Sequence, residues 1–305
     1  MPSVQILRTP DERFAQLPEF EFEPHYCEIE SGASRLRVHY LDEGPAEGPV
    51  VVLMHGEPSW CFLWRRVIPP LVDAGLRVVA PDLVGFGRSD KPSEVSDHTY
   101  SRHVAWMQAA LFDGLDLRDV TLVGHDWGGL IGLRLVAEHP DRIARVVATN
   151  TGLPDGQHRL PEVWWRFRDF VVGTPELPIG MLVRSGCQGE LTPEVMAAYD
   201  APFPGPDYQA GPHAMPDLIP QSPDNAETPA QLRAWSSLER FDKPFLTAFS
   251  DSDPITAGVD RLMRARIPGA AAHEPVTIAG GGHFLQEDAG PELGRVIAEF
   301  VRRTA

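Results

Sequence analysis

Short apolar runs rich in β-branched residues recur along the chain, separated by stretches whose apolar positions follow a helical spacing. Read this way, strands fall at residues 35–41, 50–55, 77–82, 120–125, 145–150, 245–250 and 275–279, and helices include 100–115 and 130–138. Runs that are apolar on both faces need helices on both sides, so the alternation predicts an α/β fold with a mostly parallel central sheet flanked by helices. One interval breaks the rhythm. From residue 153 to residue 228 no run of that strength appears, Pro and Trp are dense, and Trp164, Trp165, Phe167 and Phe170 cluster. That interval is too long for a bare loop and too irregular for one crossover helix, so an inserted helical cap is expected. The domains predicted are a core of 1–152 plus 229–305 and a cap of 153–228, the cap lying over the C-terminal strand ends where open α/β sheets hold ligands.

Composition narrows the function. The chain has 305 residues, 43% hydrophobic and 23% charged, enough apolar content for a large core and unlike a disordered or fibrous protein. Its 27 Lys and Arg against 43 Asp and Glu give a formal charge of −16. Such a surface repels phosphate backbones and anionic membranes, and no basic patch offsets it, so neither nucleic acid nor membrane is an expected partner. The three cysteines, Cys27, Cys61 and Cys187, are widely spaced and form no CxxC, which points away from disulfides and zinc. The first twenty residues lack the apolar run of a signal peptide, and no stretch approaches the ~20 apolar residues of a membrane span, so a cytoplasmic location is expected.

The candidate chemistry begins at Gly124-His-Asp126-Trp-Gly-Gly129, where a β-rich run ends and a helical pattern starts. Small residues two before and two after the central position let the chain turn sharply and expose it, as in a nucleophile elbow. The central residue here is Asp126 rather than Ser. The same match alone also suits a turn Asp capping the next helix. Two later strands supply partners in the order such folds use, nucleophile, acid, histidine. One empties into Asp251-Ser-Asp253-Pro254, the other into Gly280-Gly-Gly-His283-Phe284. Asp253 is preferred as the acid because Pro254 stiffens its turn, with Asp251 left as a solvated turn residue. His55-Gly-Glu57-Pro-Ser-Trp60 follows another buried strand and brings backbone N–H groups beside the elbow, so the amides of Glu57 and Trp127 are candidates for an oxyanion hole. His55 itself is read as locking its loop. Asp82-Leu-Val-Gly-Phe-Gly-Arg-Ser-Asp90 contains GxG but lacks the third glycine of a dinucleotide site.

Together these segments, with Ala201-Pro-Phe-Pro and Tyr208-Gln-Ala-Gly in the cap, resemble the haloalkane dehalogenases of the α/β-hydrolase superfamily, in the subgroup with Glu after His-Gly. His125 departs from that subgroup, where Gln often precedes the nucleophile; His stands there in epoxide hydrolases. The resemblance implies hydrolysis of carbon–halogen bonds with no metal or organic cofactor, on a small apolar halogenated substrate with water and a halide ion as the other participants. It also implies a monomer or weak homo-oligomer.

An aspartate at the elbow suits such a reaction because its attack on saturated carbon leaves an ester, which water can cleave, whereas serine would leave an ether. The departing halide needs N–H donors in an apolar pocket, for which indole is suited because it donates without accepting. Trp127 is the first candidate and a second is expected from the cap, Trp165 first and Trp164 next; core packing of the cap is the competing role for both. An epoxide hydrolase would use the same Asp126, His283 and Asp253 with cap tyrosines as acids, and only Tyr199 and Tyr208 are available. A fluoroacetate-type enzyme would carry Arg where Trp127 stands. A non-catalytic binding protein of this fold would have lost part of the triad.

Overall fold

The computed structural model describes residues 4–305. Eight strands form one sheet: β2 (His25–Ser31), β3 (Ser34–Glu43), β4 (Val50–Met54), β5 (Arg77–Pro81), β7 (Val120–His125), β8 (Ile143–Thr149), β9 (Phe245–Ser250) and β10 (Val276–Ile278). Their order is β10-β9-β8-β7-β4-β5-β3-β2, and β4, β5, β7, β8, β9 and β10 run parallel. A separate antiparallel pair joins β1 (Ile6–Leu7) to β6 (Lys91–Pro92).

The parallel strands are apolar because both faces are covered: all six residues of β7 are buried. The hairpin at the sheet's edge obeys another rule. β2 pairs antiparallel with β3 in a register that sets Glu28 opposite Arg37 and Glu30 opposite Arg35. Its outer face is charged, so its alternation is partly polar and it escapes a search for apolar runs.

Two groups of helices flank the sheet. α2 (Tyr100–Gln108), α3 (Trp127–Glu138) and α8 (Thr228–Leu238) form one contiguous layer, with α3 against β7. α1 (Ile68–Asp73) packs on α11 (Leu285–Arg303), which contacts β9 and β10. α9 (Val259–Arg266) and α10 (Pro268–Ala271) pack together beside β9. The helix expected at 100–115 is α2 continued by a wider π turn at Ala109–Gly114.

Between β8 and α8 the chain makes no strand among the described residues; it forms α4 (Glu162–Gly173), α5 (Ile179–Ser185), α6 (Pro193–Asp200) and α7 (Ala210–Leu218). α4 packs on α7 and α5 on α6. Several bonds tie this insertion to the rest of the chain. Trp60 Nε1 donates to the Ala198 carbonyl at 3.1 Å, Thr9 Oγ1 to the Pro202 carbonyl at 2.6 Å, and the Tyr199 hydroxyl to buried Glu287. Between the insertion and the C-terminal strand ends lies a cavity of about 1000 Å³. Among the described residues no helix is long and apolar enough to cross a membrane.

Candidate active site

Asp126 sits between β7 and α3 at φ 49°, ψ −126°, a conformation that non-glycine residues adopt rarely and at a cost. The surroundings enforce it. Its amide donates to the Asn150 carbonyl at 3.1 Å, and Thr151 Oγ1 donates to its carbonyl at 2.7 Å. The flanking glycines permit the bend: a Cβ on Gly128 would lie 2.1 Å from the Met54 carbonyl oxygen, and one on Gly124 would lie 2.5 Å from the Gly129 Cα. Larger residues would push α3 off the sheet. The sharp turn aims the Asp126 carboxylate into the cavity.

The loop after β4 closes on that carboxylate. Glu57 N–H donates to Asp126 Oδ1 at 2.8 Å, and the neighbouring Trp127 amide also favours the charged form of that carboxylate. Gly56 allows the approach, since a Cβ there would come within 2.2 Å of Asp126 Oδ1. His55 fixes the loop: its Nε2 accepts the Leu83 N–H at 3.0 Å, so its Nδ1 donates to the Gly56 carbonyl at 3.0 Å. The Glu57 side chain is buried and lines the cavity. Burial and the charge of Asp126 push its carboxyl well above the usual carboxylate range, and its Oε1 has no partner among the described residues.

His283 arrives on the loop after β10. Its Nδ1 is 3.0 Å from Asp253 Oδ2 and its Nε2 is 3.6 Å from Asp126 Oδ2. Asp253 is buried and further held by the Ile255 N–H at 2.9 Å and by the Thr256 hydroxyl. Asp251 is exposed and binds the Gly280 N–H at 3.0 Å instead, so of the two acids it is Asp253 that the fold brings to His283. Electrostatics follow the same pairing. Burial alone would discharge all three groups. It is outweighed at His283 by the Asp253 charge and by donation of its N–H groups toward both carboxylates, which raise the imidazole to about 10. At Asp253 it is outweighed by the His283 charge and hydrogen bond, which hold the carboxyl at about 2. Asp126 is likewise lowered, against burial, by His283 and by the Trp127 amide.

Three residues that pattern reading passed over hold this arrangement: Asn150, Thr151 and Thr256. Asn150 Nδ2 donates to the carbonyls of Gly282 at 2.9 Å and His283 at 3.0 Å and to Ser250 Oγ at 2.9 Å. His125, the unusual residue before Asp126, donates from Nε2 to the same His283 carbonyl at 2.8 Å. It supports the histidine loop from below rather than entering the cavity.

Comparison with known proteins agrees with this geometry. The family model for the alpha/beta hydrolase fold matches residues 49–290. The chain is 52% identical to a haloalkane dehalogenase of Psychrobacter cryohalolentis, an alignment covering 98% of each chain. It is 49% identical to a haloalkane dehalogenase of Mycolicibacterium paratuberculosis, over 97% of this chain and 98% of that one. The chain belongs to the haloalkane dehalogenase family. Among solved structures, haloalkane dehalogenase DpaA from Paraglaciecola agarilytica, described as tetrameric, has a TM-score of 0.88 at 35% identity and covers 97% of both chains.

For a dehalogenase the indoles matter next, and the structure places the two cap candidates differently. Trp127 and Trp164 line the cavity, whereas of the two cap indoles it is Trp165 whose buried N–H has no partner among the described residues. Trp165, the first choice from sequence, does not line it; its ring packs edge-on against Trp164 with centroids 4.9 Å apart, and Arg168 lies over it at 5.9 Å. Adjacent positions on a helix point about 100° apart, so one ring of the pair lines the cavity while the other packs behind it. Neither Tyr199 nor Tyr208 lines the cavity. Away from the site, His39, Cys61 and Asp82 form the one group of metal-ligating side chains among the described residues. Both Asp82 oxygens are already engaged, Oδ1 by the Cys61 N–H at 2.8 Å and Oδ2 by His39 Nδ1 at 2.7 Å and the Arg88 N–H at 2.8 Å, so the group is a structural knot.

Proposed function

We propose that Asp126 carries out the carbon–halogen cleavage of this family by forming an ester that His283 helps water to undo, and that helices α4 to α7, within residues 153–228, serve as the cap over the core of 1–152 and 229–305. The observation that carries the reading is a carboxylate at the elbow, seated on the Glu57 N–H at 2.8 Å with an imidazole 3.6 Å from its other oxygen.

Oδ2 of Asp126 attacks the carbon bearing the halogen, the carbon–halogen bond breaks with its electron pair, and halide leaves. Trp127 and Trp164 donate to the departing ion; each hydrogen bond to a charged acceptor contributes about 1.5–3 kcal/mol. Esterification removes the Asp126 charge, one of the causes that keep His283 protonated, so burial regains weight and the imidazole releases its proton. The neutral ring then takes a proton from water, whose oxygen adds to the Asp126 carboxyl carbon. The amides of Glu57 and Trp127 hold the oxyanion on Oδ1. Collapse expels the alcohol, which takes the proton back, and the carboxyl proton passes to His283. Water and haloalkane thus give alcohol, halide and one proton, with no step left for a metal or organic cofactor.

An epoxide substrate would need an acid for its ring oxygen. The cavity offers no tyrosine among the described residues, and the Tyr199 hydroxyl is committed to Glu287, which favours the dehalogenase over the epoxide reading.

Intact mass spectrometry of His283→Ala after 1-bromobutane tests the scheme. A butyl adduct on the Asp126 peptide is expected. An adduct on another residue, or none while styrene oxide does react, overturns it.

A further inference from the structure

The cavity is large for a short haloalkane: about 1000 Å³ stands at the upper end of the range for sites that enclose drug-sized ligands. Its wall changes character toward the surface. Phe170, Met181 and Leu262 are all exposed, and all three line this one cavity. Isolated exposed apolar side chains are ordinary, but three lining one cavity put apolar surface at its mouth.

Charge on the same rim is inverted relative to the whole chain. In a protein with 43 acidic and 27 basic residues, the cavity lining includes Arg159, Arg166 and Arg266. Of the carboxylates that line it, Glu57 and Asp155 are buried and Asp126 is only partly exposed, at the reacting centre. Arg266 is engaged, lying 3.9 Å over the Trp235 ring and 2.9 Å from Glu239. Arg159 reaches Glu162 only at 3.5 Å. Arg166 makes no ion pair or side-chain hydrogen bond among the described residues. An arginine left without a partner on a strongly acidic protein, beside an apolar channel that leads to a nucleophile, is suited to receive an anion.

We propose that the rim is a second subsite, which takes the far end of an extended substrate: the chain lies along Phe170, Met181 and Leu262 while a terminal carboxylate meets Arg166 and Arg159. The preferred class is then ω-halogenated alkanoates of medium chain length, hydrolysed to ω-hydroxy alkanoates. The proposal rests on the dehalogenase reading above and adds to it the chemistry of the distal group.

Bromide release is measured for 8-bromooctanoate, for 8-bromooctan-1-ol as its neutral counterpart of equal length, and for 1-bromobutane. The expected kcat/KM for the carboxylate exceeds that for the alcohol by about fivefold at low salt, the size of a favourable exposed ion pair. The excess shrinks as ionic strength rises. In Arg159→Gln/Arg166→Gln the ratio falls to near one, while Arg166→Lys keeps most of it; the alcohol rate in each variant controls for folding. Equal values for the two long substrates, or a ratio untouched by the double substitution, overturn the subsite. Release from 1-bromobutane alone overturns the subsite and leaves the dehalogenase reading standing. Release from none of the three overturns that reading itself.

Discussion

Asn150 joins the pieces of the site that lie far apart in sequence. Its carbonyl takes the Asp126 N–H, its amide nitrogen holds the carbonyls of Gly282 and His283, and its Oδ1 accepts the Ser250 N–H at 2.9 Å, three residues before Asp253. Replacing it with Ala keeps the backbone bond to Asp126 but leaves the Ser250 N–H without its acceptor, at a cost of about 1–3 kcal/mol if water does not enter, and removes one donor from each of the two carbonyls, which keep Ser250 Oγ and His125. We expect Asn150→Ala to lower the melting temperature and to slow ester hydrolysis more than ester formation, which rapid-quench bromide release would separate. Asp253→Asn should leave the fold intact yet reduce turnover by about 10⁴, because the amide no longer fixes the imidazole's orientation and charge; a loss below tenfold would show that Asp253 is not the partner that matters. Asp126, His283 and Asp253, which the fold brings together, could be picked out as candidates from the sequence because side-chain chemistry announces itself beside glycines and strand ends. Asn150 was not, since its work is done by ordinary polar atoms on backbone groups, and nothing in the residue types around it signals that.

At the level of elements, the bend between β7 and α3 is the most demanding. Gly128→Ala would set a methyl 2.1 Å from the Met54 carbonyl oxygen, and overpacking of this kind costs typically 1–3 kcal/mol. We expect a lower urea midpoint together with lost activity; wild-type stability would mean that α3 can slide, contrary to the packing seen here. The parallel strands were readable because covered strands must be apolar throughout. β2 was missed because its cross-strand partners are charged, and the split of 100–115 into α and π turns was missed because periodicity does not resolve a single widened turn. Trp164 and Trp165 show a third limit: neighbouring indoles match one motif equally well, and only the helix's rotation decides which of them meets the cavity.

Over the whole molecule, the triad links function to pH. Asp253 is lowered from 3.8 to about 2, so it contributes about 2 kcal/mol at pH values above 3.8, lost as the pH falls toward 2. His283 is raised from 6.5 to about 10, so its contribution is complete below 6.5 and disappears as the pH rises through 10. Urea midpoints across pH should fall at both ends, and Asp253→Asn should flatten the acid limb; an unchanged acid limb would separate Asp253 from the stability of the fold.

The two oxygens of Asp126 face different neighbours, one the Glu57 amide and the other the imidazole. On the proposed ester route, a side chain that keeps that orientation loses the oxygen facing His283 with every alcohol molecule and regains one from solvent, while its twin never leaves. The protein would then consume and renew one of its own atoms at each cycle. After many turnovers in ¹⁸O-water, the Asp126 peptide should gain a single heavy oxygen, and a doubly labelled peptide would reveal a carboxylate that spins between cycles.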